Sequence, residues 1–330
     1  MPPPPPAADA ALPDGDVPPW NPPRDRTTDT AARFGPGPVE RAVTLPPPAA
    51  PSFLAAPPRR FRRLTAASRA LPDYLILGAQ KAGTTSLQRY LEQHPAVLPP
   101  RTKEVHYFDL QSWRGERWYR ANFPLRLQLA ARGLRARSKA VTGEASPYYL
   151  SHPDVPSRVH GALPDVRMIV ILRDPVARAH SHYLHNRRLG AEDCATFEAA
   201  IEREPQRLEG ELARIQADAR YASFAHRHHS YLHRGLYAEQ LRGWFARFPR
   251  EQLLILENDE LARDAAAVYR RVLDFLGLPP WQPSAFARHN AGGGDAPLDG
   301  ALRVRLASWF EPHNQQLYEL LGREFAWTRP

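Results

Sequence analysis

The segment 78–86, Gly-Ala-Gln-Lys-Ala-Gly-Thr-Thr-Ser, combines the groups that bind a phosphate. Its two glycines allow a sharp turn that brings backbone N–H groups close to an anion, and Lys81 adds a positive charge. Thr84, Thr85 and Ser86 add hydroxyl donors where a helix is predicted to begin, and the first N–H groups of a helix are unpaired. The lysine precedes the second glycine by two positions, unlike the Gly-Lys-Ser/Thr ending of triphosphatase loops. The segment predicts a phosphate-binding loop, with a purely structural glycine turn as the alternative.

A second anion-binding group is predicted at Arg173. It directly follows the apolar run 166–172, and α/β proteins bind ligands beyond the carboxyl ends of their strands. A guanidinium also offers a fixed fork of donors that suits phosphate oxygens. Ser181 lies eight residues further along the chain, about two turns into the predicted helix. The structural alternative for Arg173 is a salt bridge with a carboxylate such as Asp174.

Proton transfer is predicted at Glu104 and His106. If the segment 103–109, Lys-Glu-Val-His-Tyr-Phe-Asp, is extended, these two side chains point to the same face. A carboxylate and an imidazole are groups that move protons in general acid–base catalysis. Both are also ordinary surface or hydrogen-bonded residues, so the sequence alone leaves a structural role open.

Three apolar runs, at 74–77, 166–172 and 253–256, have the composition of buried strands. Amphipathic or capped segments between and after them predict helices at 84–94, 174–188, 237–248, 262–276 and 302–321. Alternating apolar strands and helices indicate an α/β fold of three layers. We expect a mostly parallel central sheet with helices on both faces and the phosphate-binding loop after its first strand.

The prolines divide the chain into two parts. Eighteen of the 36 prolines fall within residues 1–60, where they leave little to bury and disfavour regular hydrogen bonding. We therefore expect a Pro-rich disordered tail at 1–70 and one catalytic domain at 71–330. The basic run 59–63 is interpreted as a solvated linker cluster, with a membrane-surface or nucleic-acid anchor as the alternative.

Charge and composition exclude several classes of protein. The 330 residues carry 44 Lys and Arg against 35 Asp and Glu, a net charge of +9 that favours anionic partners. The single cysteine, Cys194, excludes a scaffold held by internal disulfides. We find no element that reads nucleic acid, no secretory signal at the start and no apolar run long enough to span a membrane. We expect a soluble, cytoplasmic protein, with membrane contact limited to the periphery; the oligomeric state stays open.

These motifs resemble the sulfotransferases that use 3′-phosphoadenosine-5′-phosphosulfate (PAPS), most closely the glycan-modifying, heparan sulfate-type branch. The resemblance rests on five segments in the family's order: 78–86, 103–109, 143–149, 173–183 and 235–241. It implies that Lys81 contacts the 5′-phosphate and the bridging oxygen. Further donor-binding residues implied by the resemblance are Ala82, Gly83, Thr84, Thr85 and Ser86 at that phosphate, Arg173 and Ser181 at the 3′-phosphate, and Tyr237 near the adenine or the 3′-phosphate. The alternatives are a helix-capping role for Thr84, Thr85 and Ser86 and an ordinary buried tyrosine at 237.

The resemblance also implies transfer of a sulfuryl group from PAPS to a hydroxyl of a carbohydrate or glycoconjugate, with an amine as the second choice. Glu104 would be the general base, or else His106. Heparan-type enzymes often carry a lysine where this chain has Ala145, and Lys103 or Lys139 are the candidate replacements.

Two other functions remain open at this stage, a nucleotide kinase with an irregular phosphate loop and a nucleotide-binding module without catalysis. A metal site is not expected. The histidines at 226, 228 and 229 lack cysteine or acidic partners at ligand spacing, and sulfuryl transfer needs no metal.

Overall fold

The computed structural model describes residues 60–287 and 297–327. The predicted Pro-rich tail lies outside the described residues up to position 59. Within the last part of the predicted tail, a short helix (α1) begins at Arg60 and packs against the following domain. Its Arg62 guanidinium donates to the carbonyl oxygens of Ala121 (2.6 Å) and Phe123 (2.9 Å).

The centre of the fold is a four-stranded parallel sheet with the order β2-β1-β3-β4. The strands are β1 (Tyr74–Gly78), β2 (Gly143–Ala145), β3 (Arg167–Leu172) and β4 (Leu253–Glu257). Every residue of β1 is buried, as expected for a central strand covered on both faces. The parallel sheet surrounded by helices confirms the predicted α/β fold.

Helices cover the sheet and form the outer parts of the described chain. Those before β3 are α1 (Arg60–Leu64), α2 (Thr84–Gln93), α3 (Glu116–Arg120), α4 (Arg126–Ala136) and α5 (Val155–Ala162). Between β3 and β4 lie α6 (Pro175–Arg188), α7 (Phe197–Glu202), α8 (Glu204–Leu208), α9 (Glu211–Ala217), α10 (Phe224–His228) and α11 (Tyr237–Phe245). After β4 come α12 (Asn258–Arg263), α13 (Ala265–Leu276) and α14 (Gly300–Leu321).

The order of the strands brings two predicted ligand segments to the same edge. Strands β1 and β3 are adjacent and parallel, with Ile76 opposite Ile169 and Gly78 opposite Val170. Their carboxyl ends therefore meet, and the loop after β1 lies beside the residue that follows β3. Helices α2 and α6 start directly after these ends, so the positive ends of both helix dipoles lie at this edge.

Candidate functional site

A cavity of about 700 Å³ lies at the carboxyl edge of the sheet. It is lined by nine of the residues that the sequence singled out: Lys81, Gly83, Thr84, Thr85, Ser86, Glu104, His106, Arg173 and Ser181. Two other candidates, Ala82 and Tyr237, do not line it, and both are buried. The structure thus brings together segments separated by about a hundred residues of chain.

The loop after β1 has a backbone that depends on glycine. Gly83 has φ +100°, in the left-handed region that side chains disfavour. At Gly78, an added Cβ would lie 2.8 Å from the Cβ of Leu150, so the close approach of the chain requires a residue without a side chain. The side chain of Asn258 donates to the carbonyl oxygen of Ala82 (2.9 Å) and fixes the loop from the other side. The N-cap residue of α2, Gly83, has no side chain that could cap the first turn, and the first N–H groups of a helix are a common place for an anion to bind.

Arg173 connects the two anion-binding segments. Its Nη1 donates to the carbonyl oxygen of Lys81 at 2.9 Å, so the guanidinium lies against the phosphate loop. The Tyr237 hydroxyl donates to the carbonyl oxygen of Arg173 (2.9 Å), which places Tyr237 behind the strand end. The carboxylate of Asp174 accepts from the Val176 N–H (2.9 Å) and from Arg303 (3.1 Å). The alternative pairing of Asp174 with Arg173 is therefore replaced by a helix cap and a different arginine.

Four charged side chains at the cavity contact one another in a continuous row. Lys103 Nζ lies 2.7 Å from Thr85 Oγ1 and 3.0 Å from Glu104 Oε1. The other oxygen of Glu104 lies 3.1 Å from His106 Nε2, and His106 Nδ1 lies 2.7 Å from Asp109 Oδ2. A lysine, two carboxylates and an imidazole thus alternate in charge, beginning at the phosphate loop.

These contacts shift the pKa values of both proton-transfer candidates. Burial would lower the pKa of His106, but the Asp109 carboxylate and Glu104 outweigh it and raise that pKa to about 9. Burial would raise the pKa of Glu104, but the hydrogen bond from His106 and the charges of His106 and Lys103 lower it to about 2. At neutral pH, Glu104 is a carboxylate and His106 an imidazolium with a proton on each nitrogen. Of the two, only Glu104 can accept a proton in this state.

The segment 143–146 forms a buried hydrogen-bond network next to Glu104 and His106. Glu144 is fully buried, and burial raises its pKa. Its carboxylate accepts hydrogen bonds from the Tyr119 and Tyr149 hydroxyls, the Val105 N–H and the Ser146 hydroxyl. The His106 N–H donates to Ser146 Oγ (3.2 Å), so this network also holds the backbone that carries Glu104 and His106.

The two candidate replacements for the lysine missing at Ala145 lie in different parts of the structure. Ala145 is buried in β2, paired with Ile76 in the sheet. Lys139 forms an ion pair with Asp73 (3.0 Å), and neither lines the cavity. Lys103 does line the cavity, and its ammonium contacts both the phosphate loop and Glu104.

Several basic side chains of the cavity lie outside the motifs that the sequence singles out. Arg227 and Arg234 line it, together with His185 and Arg303. Arg234 is 3% exposed, its guanidinium lies 4.6 Å from the centre of the Tyr148 ring, and it donates to the side chain of Gln80 in the phosphate loop. Burial lowers its pKa to about 9. Arg234 directly precedes the motif at 235–241, and this adjacency is the signal that could have identified it.

At one edge of an α/β sheet, the structure therefore brings a glycine-rich loop, the N-terminus of α2 and Arg173 together with Glu104 and His106. Residues 71–288 match the sulfotransferase domain, which covers well over half of the chain. The chain belongs to this sulfotransferase family, and the resemblance that the motifs indicated is confirmed.

Two relatives illustrate the similarity. Mouse (Mus musculus) heparan sulfate glucosamine 3-O-sulfotransferase 3B1 is 29% identical over 285 residues, which cover 79% of this chain and 66% of the relative. The crystal structure of a sulfotransferase from Alicyclobacillus acidocaldarius is similar with a TM-score of 0.59 and 30% identity, covering 78% of this chain and 98% of that one. The chain thus spans about two thirds of the length of the mouse relative but nearly all of the bacterial protein.

The expectation of a cytoplasmic protein is wrong. A relative from Dictyostelium discoideum, 25% identical over 322 residues and covering 78% of this chain and 66% of its own length, is named membrane-associated sulfotransferase kil1. The expectation rested on the lack of a secretory signal and of a long apolar run, and neither feature bears on peripheral association with a membrane surface. Among the described residues, no helix has the length and apolar character needed to cross a bilayer.

Proposed function

We propose that the protein transfers a sulfuryl group from PAPS to a hydroxyl of a carbohydrate acceptor. The observation that carries this proposal is the meeting of Lys81, Arg173 and Glu104 in one cavity. Cations on two different segments suit a nucleotide with phosphates on two positions of its ribose, and a carboxylate in the same cavity supports the removal of a proton from an acceptor. Membership of the sulfotransferase family supports the same reaction.

The cavity has the size and the donors that PAPS requires. A volume of about 700 Å³ is within the usual range for small-molecule sites. The first turn of α2, Lys81 and the hydroxyls that follow would hold the 5′-phosphosulfate. Arg173 and Ser181, on the β3–α6 side, would hold the 3′-phosphate.

In the proposed reaction, the acceptor oxygen attacks the sulfur in line with the bridging oxygen of the donor. A new S–O bond forms, the bond from sulfur to the bridging oxygen breaks, and 3′-phosphoadenosine-5′-phosphate (PAP) leaves with that electron pair. Glu104 takes the acceptor's proton, and Lys81 stabilises the charge that develops on the leaving phosphate. His106, protonated between Asp109 and Glu104, holds the carboxylate in place.

The remaining charges of the cavity favour an acidic acceptor. Among the described residues that line it, Glu104 is the one carboxylate, against six Lys and Arg side chains. Once Lys81 and Arg173 are assigned to the donor, Arg227 is a candidate partner for an acidic group of the acceptor, and Arg234 adds positive charge from its buried position. A saccharide that already carries carboxylate or sulfate groups would match this charge, as would the heparan sulfate named for the mouse relative.

The test measures transfer of radiolabelled sulfate from PAPS to a panel of acidic and neutral saccharides, hydroxyl-only and amine-containing. We expect the variants Lys81→Ala and Glu104→Gln to lose at least about 100-fold in turnover. Lys139→Ala, at an ion pair outside the cavity, is the matched control and should keep the wild-type rate. Calorimetry should show that Glu104→Gln still binds PAP, and that wild type binds PAP more tightly than AMP. Full turnover in Glu104→Gln, or equal affinity for PAP and AMP, would contradict the proposal.

A further inference from the structure

Helix α4 presents its apolar side to solvent. Leu127 and Leu134 are seven residues apart, about two turns, and therefore share a face; they are 78% and 82% exposed. Ala130 and Ala131, which lie between them on that face, are also exposed. No residue of α4 is buried, and its inner side contacts the core through the half-buried Ala136. A surface helix of a globular protein normally has the opposite orientation, with apolar residues inward.

Helix α1 adds a second pair of outward apolar side chains. Phe61 and Leu64 are 67% and 76% exposed, while Arg62 points inward and holds the helix to the segment that leads into α4. At the start of α4, Arg126 Nη2 donates to the carbonyl oxygen of Ala67 (2.6 Å), which ties the two helices to a common framework. We call the exposed faces of α1 and α4 together the α1–α4 surface.

Arginines border these apolar residues, and acidic residues are missing from both segments. Exposed arginines on α1 and α4 are Arg60, Arg63, Arg126, Arg132 and Arg135, with Arg137 at the end of α4. The sequence has no Asp or Glu from 60 to 72 or from 117 to 142. An apolar stripe between basic side chains is the pattern of helices that lie in the interface of an anionic bilayer.

We propose that the α1–α4 surface docks on the surface of a membrane that contains anionic lipids. The leucines and Phe61 would enter the boundary between headgroups and acyl chains, and the arginines would contact lipid phosphates and carboxylates. A second copy of the chain is a poorer occupant, because a symmetric contact would bring the bordering arginines of the two copies together. A soluble polyanion would use the arginines but would gain nothing from four exposed large apolar side chains.

The experiment is flotation of the full chain with phosphatidylcholine vesicles prepared with and without phosphatidylserine. We expect wild type to bind the phosphatidylserine vesicles, and to bind less as salt is added. The double variant Leu127→Ser with Leu134→Ser should lower the apparent partition coefficient at least about tenfold, because the apolar contribution is lost. The matched control combines Leu212→Ser and Val304→Ser, which change residues that are 41% and 53% exposed on α9 and α14; it should bind like wild type.

Far-ultraviolet circular dichroism and thermal unfolding would verify that both double variants are folded, which their exposed positions lead us to expect. Equal binding of wild type and Leu127→Ser/Leu134→Ser would overturn the proposal, since the arginines alone would then explain binding. Absence of binding to phosphatidylserine vesicles would overturn it as well. Sedimentation that finds a wild-type dimer and a monomeric leucine variant would assign the surface to a second copy instead.

Discussion

His106 keeps a proton on each ring nitrogen because a carboxylate faces each of them. Asp109 lies 2.7 Å from Nδ1 and Glu104 lies 3.1 Å from Nε2. The pKa of His106 is therefore raised to about 9, while the pKa of Glu104 is lowered to about 2. This electrostatic pairing assigns the base role to Glu104 in the proposed reaction and a positioning role to His106.

The same pairing predicts how stability depends on pH. Because the folded pKa of His106 lies above its unfolded value, its stabilising contribution is complete below about pH 6.5 and is lost as pH rises through about 9. We expect the free energy of unfolding to fall more steeply between pH 6.5 and 9.5 in wild type than in His106→Asn. Asparagine is the suitable replacement because it tolerates the left-handed backbone of His106 (φ +51°). Chemical denaturation across this pH range measures the difference; parallel curves would show that His106 does not gain its proton from this pairing.

Most of these residues can be predicted from the sequence, but the contacts between them cannot. The motif at 103–109 named Glu104 and His106 from their residue types and their resemblance to a family. The contact from His106 to Asp109 lies within a turn that begins at His106, which strict alternation along an extended strand does not anticipate. The contact from Lys103 to Thr85 joins residues 18 positions apart. Arg234 was missed because its partners, Gln80 and Tyr148, are distant in sequence.

At the scale of elements, the phosphate loop depends on the glycine that directly precedes α2, Gly83. An added Cβ at Gly83 would lie 3.1 Å from Leu261 Cδ2 and 3.3 Å from Asn258 Nδ2, and its φ of +100° disfavours any side chain. Asn258 also bonds the loop carbonyl of Ala82, so the displacement would be passed to the first turn of α2.

We therefore expect Gly83→Ala to weaken PAP binding at least about tenfold, since the anion-binding N–H groups would move out of position. Gly161→Ala is the matched control, because no atom lies within 4 Å of a Cβ at that position in α5 and alanine favours helix. Calorimetric titration of both variants with PAP measures the effect. An unchanged affinity in Gly83→Ala would show that the loop tolerates a side chain and does not act as a fixed anion site.

The elements that can be predicted from the sequence are those whose own residues determine their secondary structure. The runs in β1, β3 and β4 are apolar enough to be strands in any context, and the Asp174-Pro175 start of α6 is a local cap. Strand β2 was not predicted, because three residues with a glycine and a glutamate have no strand pattern of their own. Its pairing depends on β1 and on the buried hydroxyls around Glu144. The predicted helix at 262–276 is divided into α12 and α13 because the Asp264 side chain caps a new helix at the Ala267 N–H.

At the scale of the whole molecule, several buried histidines are affected by the charge of one arginine, Arg234. Five histidines have pKa values below the ordinary value, first because they are buried and also because Arg234 adds positive charge: His152, His182, His226, His228 and His233. Three of these values are lowered to between about 3 and about 4. Burial and the charge of Arg234 thus keep these imidazoles neutral at neutral pH.

This concentration predicts a protein that loses stability on acidification. Below about pH 6.5 the unfolded chain binds protons that the folded histidines do not, so each of them lowers the free energy of unfolding by about 1.4 kcal/mol per pH unit. The substitution His182→Phe removes the contribution of one histidine. His182 is fully buried, and its ring nitrogens have no hydrogen-bond partner among the described residues. A phenylalanine ring can keep the edge contact that the imidazole makes with Tyr231, at 5.0 Å between ring centres. Between pH 6 and 5, the free energy of unfolding measured by chemical denaturation should fall less steeply in His182→Phe than in wild type. The difference corresponds to about one proton, or about 1.4 kcal/mol per pH unit. If His182→Phe keeps the full acid slope, His182 is protonated in the folded state, and the charge of Arg234 must then be balanced by a group that these contacts do not include.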